Sequence, residues 1–282
     1  MKIKLETLRK LRKKTQMGIL KCQRALEQTK GNIEKAIILL RKENLAEAIT
    51  KGKEMKIYSE GIVRAAYKKN KAILFELNTE TDFVVKNKFF LELCEKIEEI
   101  LLSIEKTITE KKEFLNYNLN GQTVENIILE TASILKENIC LKRIKIINKK
   151  DEESFGVYNH NNNKISCLIK ITQHSPEVEK KLPIHIAGFK PKFISKEKID
   201  PIFLNQIKEQ ILLDIKKEKK IIPDVIIPKV LEKRLEKILK EICLLENFLY
   251  DDKNDPKNKI SEYLKLNKTD IIEFIRFEIG EE

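Results

Sequence analysis

Few residues in this sequence are spaced for chemistry, and the most suggestive run is Thr81-Asp82-Phe83-Val84, inside the segment from Glu76 to Lys86. A carboxylate beside a large aromatic ring has two readings here. As part of a fold, Asp82 is a turn residue and Phe83 the first core contact of the following helix. As part of a binding surface, an exposed ring flanked by a charge at a tight turn is a wedge for a pocket on a partner protein. Spacing alone leaves both open. Covalent chemistry has little to work with: there is no GxxxxGK[ST] phosphate loop, no GxGxxG between a strand and a helix, and no HExxH. Histidines occur only at 160, 174 and 185, and Cys22, Cys94, Cys140, Cys167 and Cys243 are scattered without a CxxC pair. That pattern gives neither metal-ligand spacing nor a disulfide framework. Cys94 and Cys167 fall on apolar faces and read as core residues, while His174, beside Ser175-Pro176, reads as a loop residue. No catalytic constellation, metal or cofactor is expected.

The elements that position the Thr81 turn can be read around it. Residues 60–67 and 72–78 read as strands joined at Lys68-Lys69-Asn70, so the turn closes the second strand of a hairpin. From Asn87 a helix carries Phe90, Cys94, Ile97, Leu101 and Ile104 at steps of four and three. Residues 123–137 predict another helix, and strands follow at 143–148, 155–158 and 165–172. In the last of these Ile165, Cys167, Ile169 and Ile171 alternate, which predicts one buried face. Between 201 and 240, Leu204, Ile207, Ile211 and Ile215 form one stripe and Leu231, Leu235, Ile238 and Ile242 another. Pro223 and Pro228 bracket the turn between them, predicting an antiparallel two-helix hairpin, a short coiled coil. A final strand is expected at 272–279.

The first fifty residues predict three short helices. Leu5, Leu8 and Leu11 line the first; Leu20, Ala25 and Leu26 face inward on the second; Ile33, Ala36, Ile37 and Leu40 form the buried face of the third. Gly31 suits the left-handed position after the second helix, and Asn32 the N-cap of the third. A polar stretch over 47–56 then leads into the strands. The whole is an α+β arrangement.

Charge is uneven. Of the formal net +12, residues 1–60 hold +9, leaving +3 for the other 222. Such a basic front module could attract RNA or an acidic protein surface, although Lys is abundant throughout. An RNA-binding reading has to contend with 6% aromatic residues and no Trp, since no strand offers a base-stacking platform. A scaffold that binds proteins through the helical module is the other alternative. No apolar run reaches transmembrane length and the chain is charged from its second residue, so it reads as cytoplasmic.

The run Leu11-Arg12-Lys13-Lys14-Thr15-Gln16-Met17-Gly18-Ile19-Leu20-Lys21-Cys22-Gln23-Arg24-Ala25-Leu26 resembles the opening signature of the elongation factor Ts family, and residues 76–86, ELNTETDFVVK, resemble its second signature. Glu137-Asn138-Ile139, Tyr158-Asn159-His160, His185-Ile186-Ala187, Lys190-Pro191-Lys192-Phe193-Ile194 and Ile275-Arg276-Phe277-Glu278-Ile279-Gly280-Glu281 extend the match.

The resemblance implies a ubiquitin-associated-like three-helix module over 1–46, a linker over 47–58, a core N-subdomain with the wedge motif over 59–140, and a core C-subdomain over 141–282 with an inserted coiled-coil hairpin at about 200–243. It implies a guanine-nucleotide exchange factor that binds elongation factor Tu holding GDP, as a one-to-one heterodimer, with no small-molecule substrate, nucleic acid or membrane as partner. By the same resemblance Thr81, Asp82, Phe83 and Val84 form the wedge in the G domain, and Asp82 and Phe83 together disturb its magnesium and phosphate contacts. Arg12, Ile19 and Leu20 dock the helical module, and Leu135 and His160 make further contacts. Four residues depart from the family's pattern: Gln23 for the usual Lys, Val85 for a smaller residue, Lys136 for a common Gly, and Pro183 within a helix. The sequence given also lacks the C-terminal helix of longer members.

Overall fold

The computed structural model describes residues 3–15, 17–40, 43, 58–106, 108, 110–217, 223, 226–249 and 258–281. In chain order come helices α1 (Leu5–Thr15), α2 (Ile19–Gln28) and α3 (33–40), then strands β1 (Glu60–Lys68) and β2 (Lys71–Thr79). Helices α4 (Asp82–Val85), α5 (Lys88–Ser103) and α6 (Lys111–Leu115) follow, with the short pair β3 (Asn118–Leu119) and β4 (Gln122–Thr123) ahead of α7 (Val124–Leu135) and β5 (Ile139–Asn148). The remainder is β6 (Ser154–Asn159), β7 (Ile165–Ile171), α8 (Pro176–Phe189), α9 (Pro201–Lys217), α10 (Ile227–Ile242), α11 (Ile260–Leu266) and β8 (Ile271–Glu278). The mixture is α+β, with three-stranded sheets in the orders β1-β2-β5 and β6-β7-β8. Among the described residues no helix is long and apolar enough to cross a membrane.

The chain forms two compact units. One comprises Met1–Arg64, Ile73–Ile146 and Glu278–Glu282; the other comprises Ala65–Ala72 and Ile147–Phe277. In the first, α1 to α3 share a core of Leu11, Cys22, Ala25, Leu26, Ala36 and Leu40. The corner between α2 and α3 forms as expected: Gly31 is left-handed at φ +84° and donates to the Leu26 carbonyl at 2.8 Å, and Asn32 Oδ1 accepts from Lys35 N at 3.0 Å. Two expected inward residues face out. Leu5 is 64% exposed and Leu20 70%. Three-residue steps advance about 300° each, so Leu5 lies about 120° from Leu11 around the helix. On α2 the inward positions are Cys22, Ala25 and Leu26, at i, i+3 and i+4, and Leu20 lies roughly opposite Cys22. The expected linker, 47–58, lies outside the described residues except for Tyr58.

Strand β2 is central in its sheet and buried from Ala72 through Thr79, so both its faces are covered. Helix α5 buries Phe90, Cys94, Ile97 and Leu101 on one stripe, ending at Ser103 with Ile104 just beyond. Helix α7 stops at Leu135 because Lys136 turns left-handed (φ +60°), and strand β5 starts earlier than expected, at Ile139.

In the second unit the middle strand, β7, differs from the one-faced expectation. Cys167, Ile169 and Ile171 are buried, but so are Ser166 and Leu168 on the other face. Ser166 satisfies its hydroxyl on Asn159 Oδ1 at 2.7 Å, and Asn159 also bonds Ala65 N (2.8 Å) and Ala65 O (2.9 Å), imitating a strand edge. Helix α8 packs Val178, Leu182 and Ile186 against this sheet and runs unbroken through Pro183. Pro183 has no N–H for the Glu179 carbonyl four residues back. That carbonyl lies over Gly156 of β6, where a Cβ would come within 2.5 Å of it. The absent side chain at 156 leaves room for that carbonyl.

Helices α9 and α10 pack together, with Ile211 and Ile215 buried and Leu204, Ile207, Leu231, Leu235, Ile238 and Ile242 half-buried along the two stripes. Pro228 marks the far edge of the turn between them. It occupies the first turn of α10, where a missing N–H breaks no helical bond. Most of the turn expected around Pro223 lies outside the described residues.

Candidate functional site

Thr81 to Val84 form the step between a doubly buried strand and a long helix. Thr81 is extended (φ −128°, ψ 154°), and Asp82–Val85 then make one helical turn before Asn87 caps α5 by accepting from Phe89 N at 3.0 Å. Successive residues on a helix point about 100° apart, so one of two neighbours can take the place facing the core and leave the other turned away. Val84 takes that place at 6% exposure and Phe83 is left 82% exposed. Phe83 is therefore not the first core contact of the following helix, which removes the purely structural reading of this ring. Asp82 is exposed and pairs with Lys86 at 3.1 Å, a solvated contact worth little.

Two carboxylates tie this turn to the corner after α7. Glu137 Oε1 accepts from Thr81 Oγ1 at 2.7 Å, and its Oε2 accepts from Thr81 N and Thr79 Oγ1, each at 3.1 Å. In the other direction, Glu80 Oε1 accepts from Asn138 N at 3.1 Å and Asn138 Nδ2 at 2.7 Å. Four residues before Glu80, on β2, Glu76 is fully buried and accepts from Arg143 Nε at 2.6 Å, with Lys142 Nζ 3.5 Å away. Sequence reasoning missed Glu76, Glu80 and Glu137 as supports. The available signal was a carboxylate in a strand that is otherwise apolar, and the run Glu137-Asn138 at a helix exit.

The remaining expected residues are dispersed. Arg12, Ile19 and Leu20 are exposed on α1 and α2, with Ile19 at 50%. Ile38 on α3 is exposed as well, an apolar surface residue that the sequence reading placed nowhere. Leu135 ends α7 half-buried, on the corner that holds the Thr81 turn. His160 is half-buried in the second unit, at the turn from β6 to β7, with Nδ1 2.7 Å from the Tyr158 hydroxyl.

Nucleophilic chemistry gains no support. Burial pushes the Cys94 thiol up to about 12, so it is uncharged at neutral pH, and burial also raises Cys140 and Cys243. Among the described residues no group of three His, Cys, Asp or Glu side chains could hold a metal.

Comparison with known proteins bears on the same segments. A family model described as Elongation factor TS matches residues 80–281. Elongation factor Ts of Aster yellows witches'-broom phytoplasma (strain AYWB) is 39% identical over 280 residues, covering 99% of this chain and 100% of that protein. The proteins of the same name from Phytoplasma mali (strain AT) and Spiroplasma citri are 40% and 35% identical over 284 residues, each spanning 100% of this chain and 99% and 94% of their own. With its opening helices, its exposed Phe83 turn and its C-terminal strand all inside these matches, the chain belongs to the elongation factor Ts family, the guanine-nucleotide exchange factors of elongation factor Tu in translation elongation.

Proposed function

We propose that Phe83 is the wedge of this exchange factor, entering an apolar pocket of the elongation factor Tu G domain while Asp82 stands beside the magnesium site. The observation that carries the reading is the pairing of a ring 82% exposed with a neighbour, Val84, 6% exposed, on a turn whose entering residues, Glu80 and Thr81, are bonded to Asn138 and Glu137. A large apolar side chain kept in water on a fixed mount is what a partner pocket uses as an anchor. Release of GDP then follows from linkage. A partner that binds the nucleotide-free GTPase more tightly than the GDP form weakens GDP by the same factor, without covalent chemistry.

Docking is shared with other surfaces in this reading. The helical module over residues 1–46, ubiquitin-associated-like in its three-helix layout, contacts the G domain through Arg12, Ile19 and Leu20. Leu135 and His160 supply further contacts from the subdomains over 59–140 and 141–282, and α9 with α10 form the coiled-coil hairpin. The complex is a cytoplasmic one-to-one heterodimer that needs neither nucleic acid nor membrane.

The test is release of a fluorescent GDP analogue from the cognate elongation factor Tu. Substoichiometric wild-type protein should accelerate release, and Phe83→Ala should slow it by about ten- to a hundredfold, the range expected for withdrawing one buried aromatic anchor. A folded Phe83→Ala protein with wild-type exchange would remove the wedge assignment.

A further inference from the structure

We infer that Glu137 is a positioning residue for exchange: its carboxylate locks the Thr79–Thr81 segment so that the Phe83 ring meets its pocket in one orientation. The inference rests on the wedge reading above and adds to it a residue that touches no partner.

Both Glu137 oxygens are committed to the turn, one to the Thr81 hydroxyl and the other to Thr81 N and the Thr79 hydroxyl. Thr81 is the residue preceding the one-turn helix that carries Phe83, where a Thr hydroxyl ordinarily accepts from the helix's own first N–H groups. No such cap bond forms. The hydroxyl is directed to Glu137, so the local helix forgoes its cap for a link 56 residues along the chain. Glu80 and Asn138 repeat the link with donor and acceptor sides exchanged. The segments are thereby crossed by bonds in both directions, which resists rotation of the turn as well as its withdrawal.

The mechanical need comes from what the ring has to do. Phe83 stands in water and has no core packing of its own to fix its direction. When it displaces groups in the partner, any give in residues 79–81 returns the turn toward its relaxed position. A clamp on those residues therefore acts on the step after docking, whereas the exposed module residues act on docking itself. Loss of the clamp should appear in the maximal rate of exchange and leave the half-saturating concentration nearly unchanged.

The experiment uses the full chain and cognate elongation factor Tu loaded with a fluorescent GDP analogue, titrating wild type, Glu137→Ala, Glu137→Gln and Thr81→Val, with circular dichroism and melting curves to establish the folded fraction. Glu137→Ala should lower the plateau rate about tenfold, in line with the sensitivity of positioned groups to small displacements, and shift half-saturation by less than about twofold. Glu137→Gln keeps an oxygen acceptor at the same reach, and Thr81→Val keeps the backbone N–H bond; both should fall between. An unchanged Glu137→Ala plateau, or a loss confined to half-saturation, overturns the inference. Should Glu137→Ala fail to fold, wild-type plateaus for both Glu137→Gln and Thr81→Val overturn it equally. Phe83→Ala run alongside separates the two ideas. A slow Phe83→Ala with a normal Glu137→Ala sinks only the clamp, and a normal Phe83→Ala sinks the wedge and the clamp with it.

Discussion

Removing Arg143 should destabilise this protein more than removing the carboxylate it pairs with. The asymmetry follows from where each charge sits. The Glu76 side chain is 0% exposed, whereas Arg143 is 22% exposed and Lys142 37%. In Arg143→Leu, Glu76 loses its 2.6 Å partner and keeps Lys142 at 3.5 Å and the Asn78 amide at 3.1 Å. Leaving a buried carboxylate short of its partner costs about 3–5 kcal/mol. In Glu76→Leu, the carboxylate's own desolvation disappears and an apolar side chain enters an apolar strand. Arg143 keeps its bond to the Glu278 carbonyl at 3.0 Å and some contact with water, and Lys142 keeps the Glu281 carbonyl at 2.6 Å. That loss should be about 1–2 kcal/mol, the range for a charged hydrogen bond whose remaining partner stays solvated. Urea unfolding followed by far-ultraviolet circular dichroism reads the difference. At a slope of about 2 kcal/mol/M, a gap of about 2 kcal/mol separates the two midpoints by roughly 1 M. The double variant should be more stable than Arg143→Leu alone, because the unpaired carboxylate is gone. An Arg143→Leu midpoint equal to or above that of Glu76→Leu would refute the reasoning.

Three other outcomes are expected. Lys136→Gly should stabilise the protein by about 1 kcal/mol, because Lys136 holds φ +60° where a Cβ is strained, and a midpoint at or below wild type would count against that. Gly156→Ala should destabilise by about 2 kcal/mol or more, since its Cβ would lie 2.5 Å from the Glu179 carbonyl and 2.8 Å from Glu179 Cα, both backbone; a near-neutral melting temperature would contradict it. Burial lowers the His185 pKa below its usual 6.5, so the unfolded chain takes up a proton first and stability declines as pH falls from about 6.5 toward the folded-state value. Urea midpoints at pH 7.5 and 5.5 should therefore converge in His185→Gln relative to wild type, and an identical pH response in both proteins would oppose the assignment.

Much of the scaffold was legible because it rests on short-range periodicity. The stripe Phe90, Cys94, Ile97 and Leu101, the Gly31-Asn32 corner and the paired stripes of α9 and α10 each follow from spacing within a few turns. Where the reading failed, the deciding term was angular or non-local. Leu5 and Leu20 are apolar at near-correct spacing but point away from the bundle core. Which of Phe83 and Val84 turns inward is a choice between neighbours that hydrophobicity alone cannot make. Glu137 was visible only as part of a family-like run, because its partners lie 56 and 58 residues away. Pro183 looked disruptive, but α8 runs through it unbroken and Gly156 lies against the Glu179 carbonyl that its missing N–H cannot serve.

On the proposed wedge reading, the polar character of the mount beneath Phe83 follows from the outward commitment of its ring. A Phe held in water forgoes about 1.5–3 kcal/mol of burial, and the same ring could otherwise have anchored its own turn to the core. With the ring committed outward, buried Val84 and half-buried Val85 remain to fix the turn by packing, and two small apolar contacts set its orientation only loosely. Directional bonds are the remaining means of fixing orientation, and carboxylates supply the strongest acceptors for backbone and hydroxyl donors. The concentration of Glu76, Glu80 and Glu137 around the end of β2 is therefore the counterpart of the exposed aromatic. It lets a side chain that contributes nothing to the fold's own core be aimed as firmly as one that does.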